Sequence, residues 1–259
     1  MRIERIRCST TDNYNYFIIC EETREAAVVD PLDVGQIFEV AGRDGLTITH
    51  VLNTHTHYDH TMGNEEVLAK TGAELVVSAT EAANVHAARL RAIEAGDSFK
   101  VGTVEVQTLH TPGHTPGGTT FIVGENLIVG DTLFVAGCGN PNYGGDVVSL
   151  FDTVTRKLGG FPDHYTVWPG HNYCRKNLSF ALAVEPSNAE ARALRARVEE
   201  IERGGGEPSP TTIAEERRIN PFLRLDSEAL IAHLRKDKPG LAGDARSVFL
   251  ELRARRDVY

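Results

Sequence analysis

The chain has 259 residues, 41% apolar and 24% charged, as in ordinary globular proteins, and it is long enough to bury a sizeable core. A net charge of −9 and a pI near 5.6 argue against a nucleic-acid partner, which needs a basic face, but leave room for an anionic small substrate in a locally positive pocket. No apolar run approaches the roughly 18 residues of a membrane span, and the start MRIERIRCSTTDNYNYF lacks the apolar core of a secretory signal, so a cytoplasmic protein is expected.

Residues 3–8, 14–20 and 25–30 read as short strands, the second carried by Tyr14, Tyr16, Phe17, Ile18 and Ile19. Pro31 and Asp33 open a helix over about 34–42, stopped by Gly42 and Gly45. Ile48–Leu52 is a buried-type strand that runs into a histidine-rich stretch. A helix over 62–71 stops at Gly72, and Leu75–Ser78 is the next strand. Residues 101–109 alternate as a half-buried strand does, followed by strands near 119–123 and 126–130. Residues 147–158 read as helix and Thr166–Trp168 as a short strand.

After about residue 173 the character changes. Asn188–Arg203 is rich in helix formers, Thr212-Ile213-Ala214-Glu215 has the form of a capping box, and 227–235 and 244–256 also read as helices. The first two thirds are therefore α/β and the last third helical. Cys8, Cys20, Cys138 and Cys174 form no CxxC pair, which favours reduced thiols over a disulfide scaffold or a zinc ribbon.

His50, His55, His57, His60, His110 and His114 are six of the seven histidines between positions 50 and 114, out of ten in the chain. The strongest signal is His55-Thr56-His57-Tyr58-Asp59-His60, directly after a strand that can hold ligands rigidly. Imidazoles two residues apart on extended chain face one side, which leaves Asp59 and His60 to turn towards a second ion. Later come His114 in Thr-Pro-Gly-His-Thr, Asp131 in Gly-Asp-Thr and His171 in Pro-Gly-His, each on a turn after an apolar run. Singly they are weak. Together they supply the donors that two ions need.

The order H-x-H-x-D-H, TPGHT, GDT, GH resembles the metallo-β-lactamase superfamily and, within it, glyoxalase II, the hydroxyacylglutathione hydrolases. Gly130-Asp131-Thr132-Leu133-Phe134-Val135-Ala136-Gly137-Cys138-Gly139, Pro169–Tyr173 and the segment from Thr212 to Phe222 carry the likeness over nearly the whole chain. It implies an α/β, αββα sandwich with a C-terminal helical domain: a catalytic domain over 1–172 and a substrate-binding domain over 173–259. It also implies two divalent metal ions, zinc first, with iron or manganese as alternatives. His55, His57 and His114 would bind one ion and Asp59, His60 and His171 the other, with Asp131 bridging. His110, the competitor of His114, is read as a strand-end residue.

The implied reaction is hydrolysis of an S-(2-hydroxyacyl)glutathione such as S-lactoylglutathione, a step of methylglyoxal detoxification, by a hydroxide shared between the ions. Asp59 and Asp131 are the catalytic carboxylates, and Cys138 is read as packing, not as nucleophile. Tyr173, Arg253 and Arg256 match substrate-contacting positions, the arginines sharing one helix face and suiting a carboxylate. The family's lysine after Gly139 is absent. Asn140 or Tyr143 stands in its region, so the thiol carrier is less firmly implied than thioester hydrolysis. A mononuclear iron persulfide dioxygenase and a hydrolase of another acyl thioester are the alternatives; the long helical segment argues against the first.

Overall fold

A computed structural model describes residues 1–259. The chain forms two bodies, one of residues 1–111, 116–130 and 170–172, the other of residues 112–115, 131–169 and 173–259.

In the first body, β1 (Arg2–Arg7), β2 (Tyr14–Ile19) and β3 (Glu25–Val29) pair antiparallel in sequence order. Helix α1 (Val34–Asp44) then carries the chain across to β4 (Thr47–Leu52), which lies parallel to β3. Helices α2 (Tyr58–Thr61) and α3 (Asn64–Thr71) lead to β5 (Glu74–Ser78), again parallel, and β6 (Leu90–Ile93) closes this six-stranded sheet. Every residue of β2 is buried, which explains its unbroken apolar run in place of alternation. Phe17, Val28, Val51 and Leu75 meet Ile37 of α1 and Val67 of α3 in the core. Each such side chain contributes about 1.5–3 kcal/mol by leaving water.

The remaining strands of this body are β7 (Ser98–Val101), β8 (Val104–His110), β9 (Thr119–Val123) and β10 (Asn126–Gly130), an antiparallel ladder in that order. The strand expected over 101–109 is thus two: Val101 ends one, Gly102 turns at φ 58°, and Val104 starts the next. Helix α1 does not stop at Gly42. It runs to Asp44, where Gly45 at φ 61° forms the left-handed cap, while Asp33 caps the other end through Gln36 N. The helix expected from residue 62 starts at Asn64, because Gly63 N donates to Pro31 O at 2.8 Å and not to the preceding turn.

The second body contains the short hairpin β11 (Leu133–Phe134) and β12 (Gly137–Cys138), helix α4 (Val147–Asp152), and β13 (Thr166–Pro169). After these come α5 (Cys174–Val184), α6 (Ala189–Arg203), β14 (Thr211–Thr212) paired with β13, α7 (Ile213–Ile219), α8 (Glu228–Asp237) and α9 (Ala245–Asp257). The capping box forms as expected: Thr212 accepts from Glu215 N, and Glu215 accepts from Thr212 N. The helix expected over 147–158 is α-helical only to Asp152 and continues as a π turn and a 3₁₀ turn to Gly160. Thr153 Oγ1 donates to Pro112 O there. Val135, Leu178, Ala191, Val198 and Ile219 form this body's apolar cluster. No helix is long and apolar enough to cross a membrane.

Two buried carboxylates organise the helices. Glu185 takes both Nε and Nη2 of Arg224 at 2.8 Å, with Ser227 Oγ at 2.6 Å. Glu216 is fully buried and accepts from Thr211 Oγ1, Asn220 Nδ2 and Ala136 N at 2.7, 2.8 and 3.0 Å. Burial outweighs these donors and pushes its carboxyl from 4.5 up to about 7. The native state therefore holds this proton more tightly than the unfolded chain. Its contribution is largest below pH 4.5 and is lost as pH rises towards about 7, a fall of ~3 kcal/mol at most. Glu216→Gln stays neutral throughout. Chemical denaturation of both proteins from pH 4.5 to 8 should show the variant gaining on the wild type as pH rises; a constant difference would contradict the assignment.

Candidate metal centre

The parallel strands β3 and β4 end on the same edge of the first sheet, so the residues leaving them meet. Asp30 follows β3 and sits at φ 49°, a left-handed conformation that aspartate tolerates better than most side chains. Residues 53–60 follow β4. Asp30 Oδ1 accepts from Thr54 N at 2.8 Å, and its Oδ2 accepts from Thr54 Oγ1 at 2.6 Å and lies 2.9 Å from His60 Nδ1. A buried carboxylate is an acceptor, so His60 carries its proton on Nδ1 and turns the lone pair of Nε2 outward.

That lone pair meets two other donors. His60 Nε2 lies 3.2 Å from His171 Nε2 and 3.6 Å from Asp59 Oδ2, and His171 Nε2 lies 3.3 Å from the same Asp59 oxygen. A zinc ion taking ligands at about 2.0–2.1 Å in tetrahedral directions spaces them by about 3.3 Å. Two nitrogens and an oxygen at these separations, all within 4.8 Å, therefore fit one divalent cation, and this donor set suits zinc, iron or manganese. Burial opposes ionisation of Asp59, but its hydrogen bonds with His171 and Asn13 and the neighbouring imidazoles outweigh it and hold the carboxyl well below its ordinary range. Asn13 Nδ2 donates to Asp59 Oδ2 at 3.0 Å and fixes its rotamer.

His55 and His57 lie beside this triplet in sequence, with His55 Nε2 3.1 Å from His57 Nδ1. Their loop is held from behind by the buried Glu81, which accepts from Thr56 N, Thr56 Oγ1 and Gly117 N at 2.8, 2.9 and 2.8 Å. Asp30 also forms a triplet with His55 and His60, but its oxygens are engaged with Thr54 and His60, which suits it to orient His60 and not to hold an ion itself. His110 ends β8, and its Nε2 lies 2.8 Å from Pro116 O, as a strand-end residue.

In the second body, His114 Nε2 lies 3.7 Å from Asp131 Oδ2. His114 Nδ1 lies 2.7 Å from Asn140 O, which can only accept, so this ring too is protonated on Nδ1 and offers Nε2 as a donor pair. The sequence singled out these candidate ligands but not the side chains packed behind them. Asp30, Glu81 and Asn13 belong to no motif, and a carboxylate directly after an apolar strand was the available signal for Asp30.

The candidate substrate residues are also in the second body. Tyr143 is exposed at 71%, on the loop before α4. Tyr173 precedes α5, its ring packed 5.2 Å from that of Phe134. Arg256 is half-buried and donates through Nη2 to Asn177 Oδ1 at 3.1 Å. Arg253 is 4% exposed, with its guanidinium on Cys138 O, Gly139 O and Asp257. The Cys138 thiol is buried and pushed up to about 11 by that burial, the state of a packing residue. All four cysteines are free.

Comparison with known proteins places this arrangement. Residues 9–171 match the model of the metallo-beta-lactamase superfamily, and residues 172–259 match that of the hydroxyacylglutathione hydrolase C-terminus. The hydroxyacylglutathione hydrolase of Polaromonas sp. is 44% identical, with 100% of both chains covered, and that of Nitrosococcus oceani is 42% identical over 95% of each. The crystal structure of ETHE1 from Myxococcus xanthus superposes with a TM-score of 0.69 at 28% identity, covering 100% of this chain and 99% of that one. The fold and donor set define a metal-dependent hydrolase of the metallo-β-lactamase fold with a C-terminal helical domain. Within that superfamily, the chain belongs to the hydroxyacylglutathione hydrolase (glyoxalase II) family.

Proposed function

We propose that the protein hydrolyses S-(2-hydroxyacyl)glutathione thioesters, S-D-lactoylglutathione among them, to the hydroxy acid and glutathione. The observation that carries this reading is the Asp59, His60 and His171 triplet, with the His60 tautomer fixed by Asp30. In this reading His55, His57 and His114 would hold one divalent cation, Asp59, His60 and His171 would hold the second, Asp131 would serve both, and zinc is the expected metal. When bound, such a pair of cations acidifies a shared water and offsets charge on a carbonyl oxygen. A C–O bond forms, the C–S bond breaks, and the water's remaining proton ends on the departing sulfur. A thiolate leaves readily, so no side chain need act as a dedicated acid.

Residues 1–172 then supply the catalytic domain and residues 173–259 the substrate-binding one. Arg256 is offered to a glutathione carboxylate, with Tyr173 and Tyr143 bordering the thiol carrier. The net charge of −9 favours a small-molecule substrate over nucleic acid, and the cytoplasm suits four reduced thiols. The purified protein should hydrolyse S-D-lactoylglutathione in preference to acyl-CoA thioesters, without consuming oxygen in the presence of glutathione persulfide. Activity on acyl-CoA alone would overturn the carrier, and oxygen consumption would overturn the reaction class.

A further inference from the structure

Three neighbouring parallel strands deliver their ends to one edge of the first sheet: β3 leads to Asp30, β4 to the histidine loop, and β5 to Glu81. Asp30 backs His60 from one flank. Glu81 stands on the other flank, behind His55 and His57. It is 4% exposed, and both of its oxygens are used. Oε2 accepts from Thr56 N at 2.8 Å and from Thr56 Oγ1 at 2.9 Å, and Oε1 accepts from Gly117 N at 2.8 Å. Asn84 Nδ2 donates to Thr56 Oγ1 at 2.8 Å, so that hydroxyl accepts from one side and sends its own proton to Glu81.

Two features make this carboxylate more than packing. The first is position. Thr56 separates His55 from His57, whose rings meet with Nε2 of the first 3.1 Å from Nδ1 of the second. Holding both the amide and the hydroxyl of Thr56 fixes the backbone from which the two imidazoles spring. The second is charge. The partners of Glu81 are neutral donors, and no lysine, arginine or histidine pairs with it. A buried anion without a cation is unfavourable, and a cation held by His55 and His57 would supply the missing charge. The approach to the second loop is close. A Cβ at Gly117 would sit 2.6 Å from Glu81 Cγ, so only glycine there lets the carboxylate reach the amide.

We propose that Glu81 is the positioning residue of the His55 and His57 pair and the buried counter-charge of the cation they would hold. The inference rests on the metal-centre reading for what the two imidazoles bind. With glutamine at position 81 only one end can accept. When the amide oxygen faces Thr56, the NH2 group meets Gly117 N–H; in the other orientation Thr56 loses its acceptor. One loop is released either way, and the negative charge is gone. Aspartate keeps the charge but, one methylene shorter, cannot span both loops.

The test compares Glu81→Gln and Glu81→Asp with the wild type. Zinc affinity is read for each of two equivalents by competition with a chromophoric chelator, the histidine rings by NMR in metal-free protein, and stability by the metal-free melting temperature. In Glu81→Gln one equivalent of zinc should bind about tenfold to a hundredfold more weakly, as for other changes behind a metal ligand. The His55 and His57 ring signals should shift in the metal-free protein, while those of His60, which Asp30 backs, should stay. Glu81→Asp should keep more of the affinity than Glu81→Gln, and it carries the test if the glutamine variant does not fold. A lower metal-free melting temperature with zinc affinity and the imidazole signals unchanged would overturn the proposal and leave Glu81 a packing residue. Equal losses of affinity in the two variants would overturn the counter-charge. The metal-free NMR arm stands even if the wild type takes up no zinc, a result that would overturn only the metal-centre reading.

Discussion

Asp59→Asn should lower kcat for the thioester by roughly a thousandfold, equivalent to about 4 kcal/mol of barrier, and should leave the protein with one bound cation in place of two. Asparagine keeps the shape and can still pair with Asn13. It loses the charge that draws Asp59 towards His60 and His171, and it offers the wrong atom if its amide faces the imidazoles. The change is on a partly exposed side chain, so thermal stability should hardly move. That separates a ligand from a structural residue: metal content and turnover fall together while the melting temperature of the metal-free protein stays. Full metal content with normal turnover would remove Asp59 from the site.

Asp30→Asn should weaken zinc binding by about tenfold to a hundredfold, although Asp30 makes no contact with the ion in the proposed centre. The cause is the tautomer. Thr54 N must meet an oxygen at position 30, so the asparagine oxygen takes the place of Oδ1 and its amide faces His60 Nδ1. His60 then accepts on Nδ1, carries its proton on Nε2, and points that proton at Asp59 and His171. Nitrogen NMR of the His60 ring in metal-free protein reports the switch directly, and chelator competition reports its consequence. An unchanged ring with unchanged affinity would contradict this role for Asp30.

These two residues mark how far the sequence could be read. Asp59 lies inside H-x-H-x-D-H, where four donor-type side chains within six positions make a local signal. Asp30 is one carboxylate among 36 acidic residues, and only the parallel pairing of β3 with β4 brings it to His60. The same limit applies to Glu81 and Glu216, each fixed by partners distant in the chain.

Secondary structure divided in a similar way. Strands with unbroken apolar runs, such as Tyr14–Ile19, were plain, and so were helices with capping side chains at Asp33 and Thr212. Strand β6 was not, because Leu90–Ile93 lies in an alanine-rich stretch and forms by pairing with β5. Helix α5 was missed because it starts directly after Pro-Gly-His-Asn-Tyr, with Arg175, Lys176 and Asn177 in its first turns. Its burial against α6 supplies what local sequence lacks. The last residues of the candidate site show the sharpest contrast. Position alone pairs Arg253 with Arg256 as equals, yet one is sealed against backbone carbonyls and the other is half-open.

In the proposed centre, side chains from four separate turns gather two cations that make water reactive. Metal-free wild-type protein titrated with zinc, with bound metal and S-D-lactoylglutathione turnover read on the same sample, tests it most directly. Negligible turnover without metal, restored as two equivalents per chain are taken up, is the predicted result; full turnover in protein free of metal would contradict it.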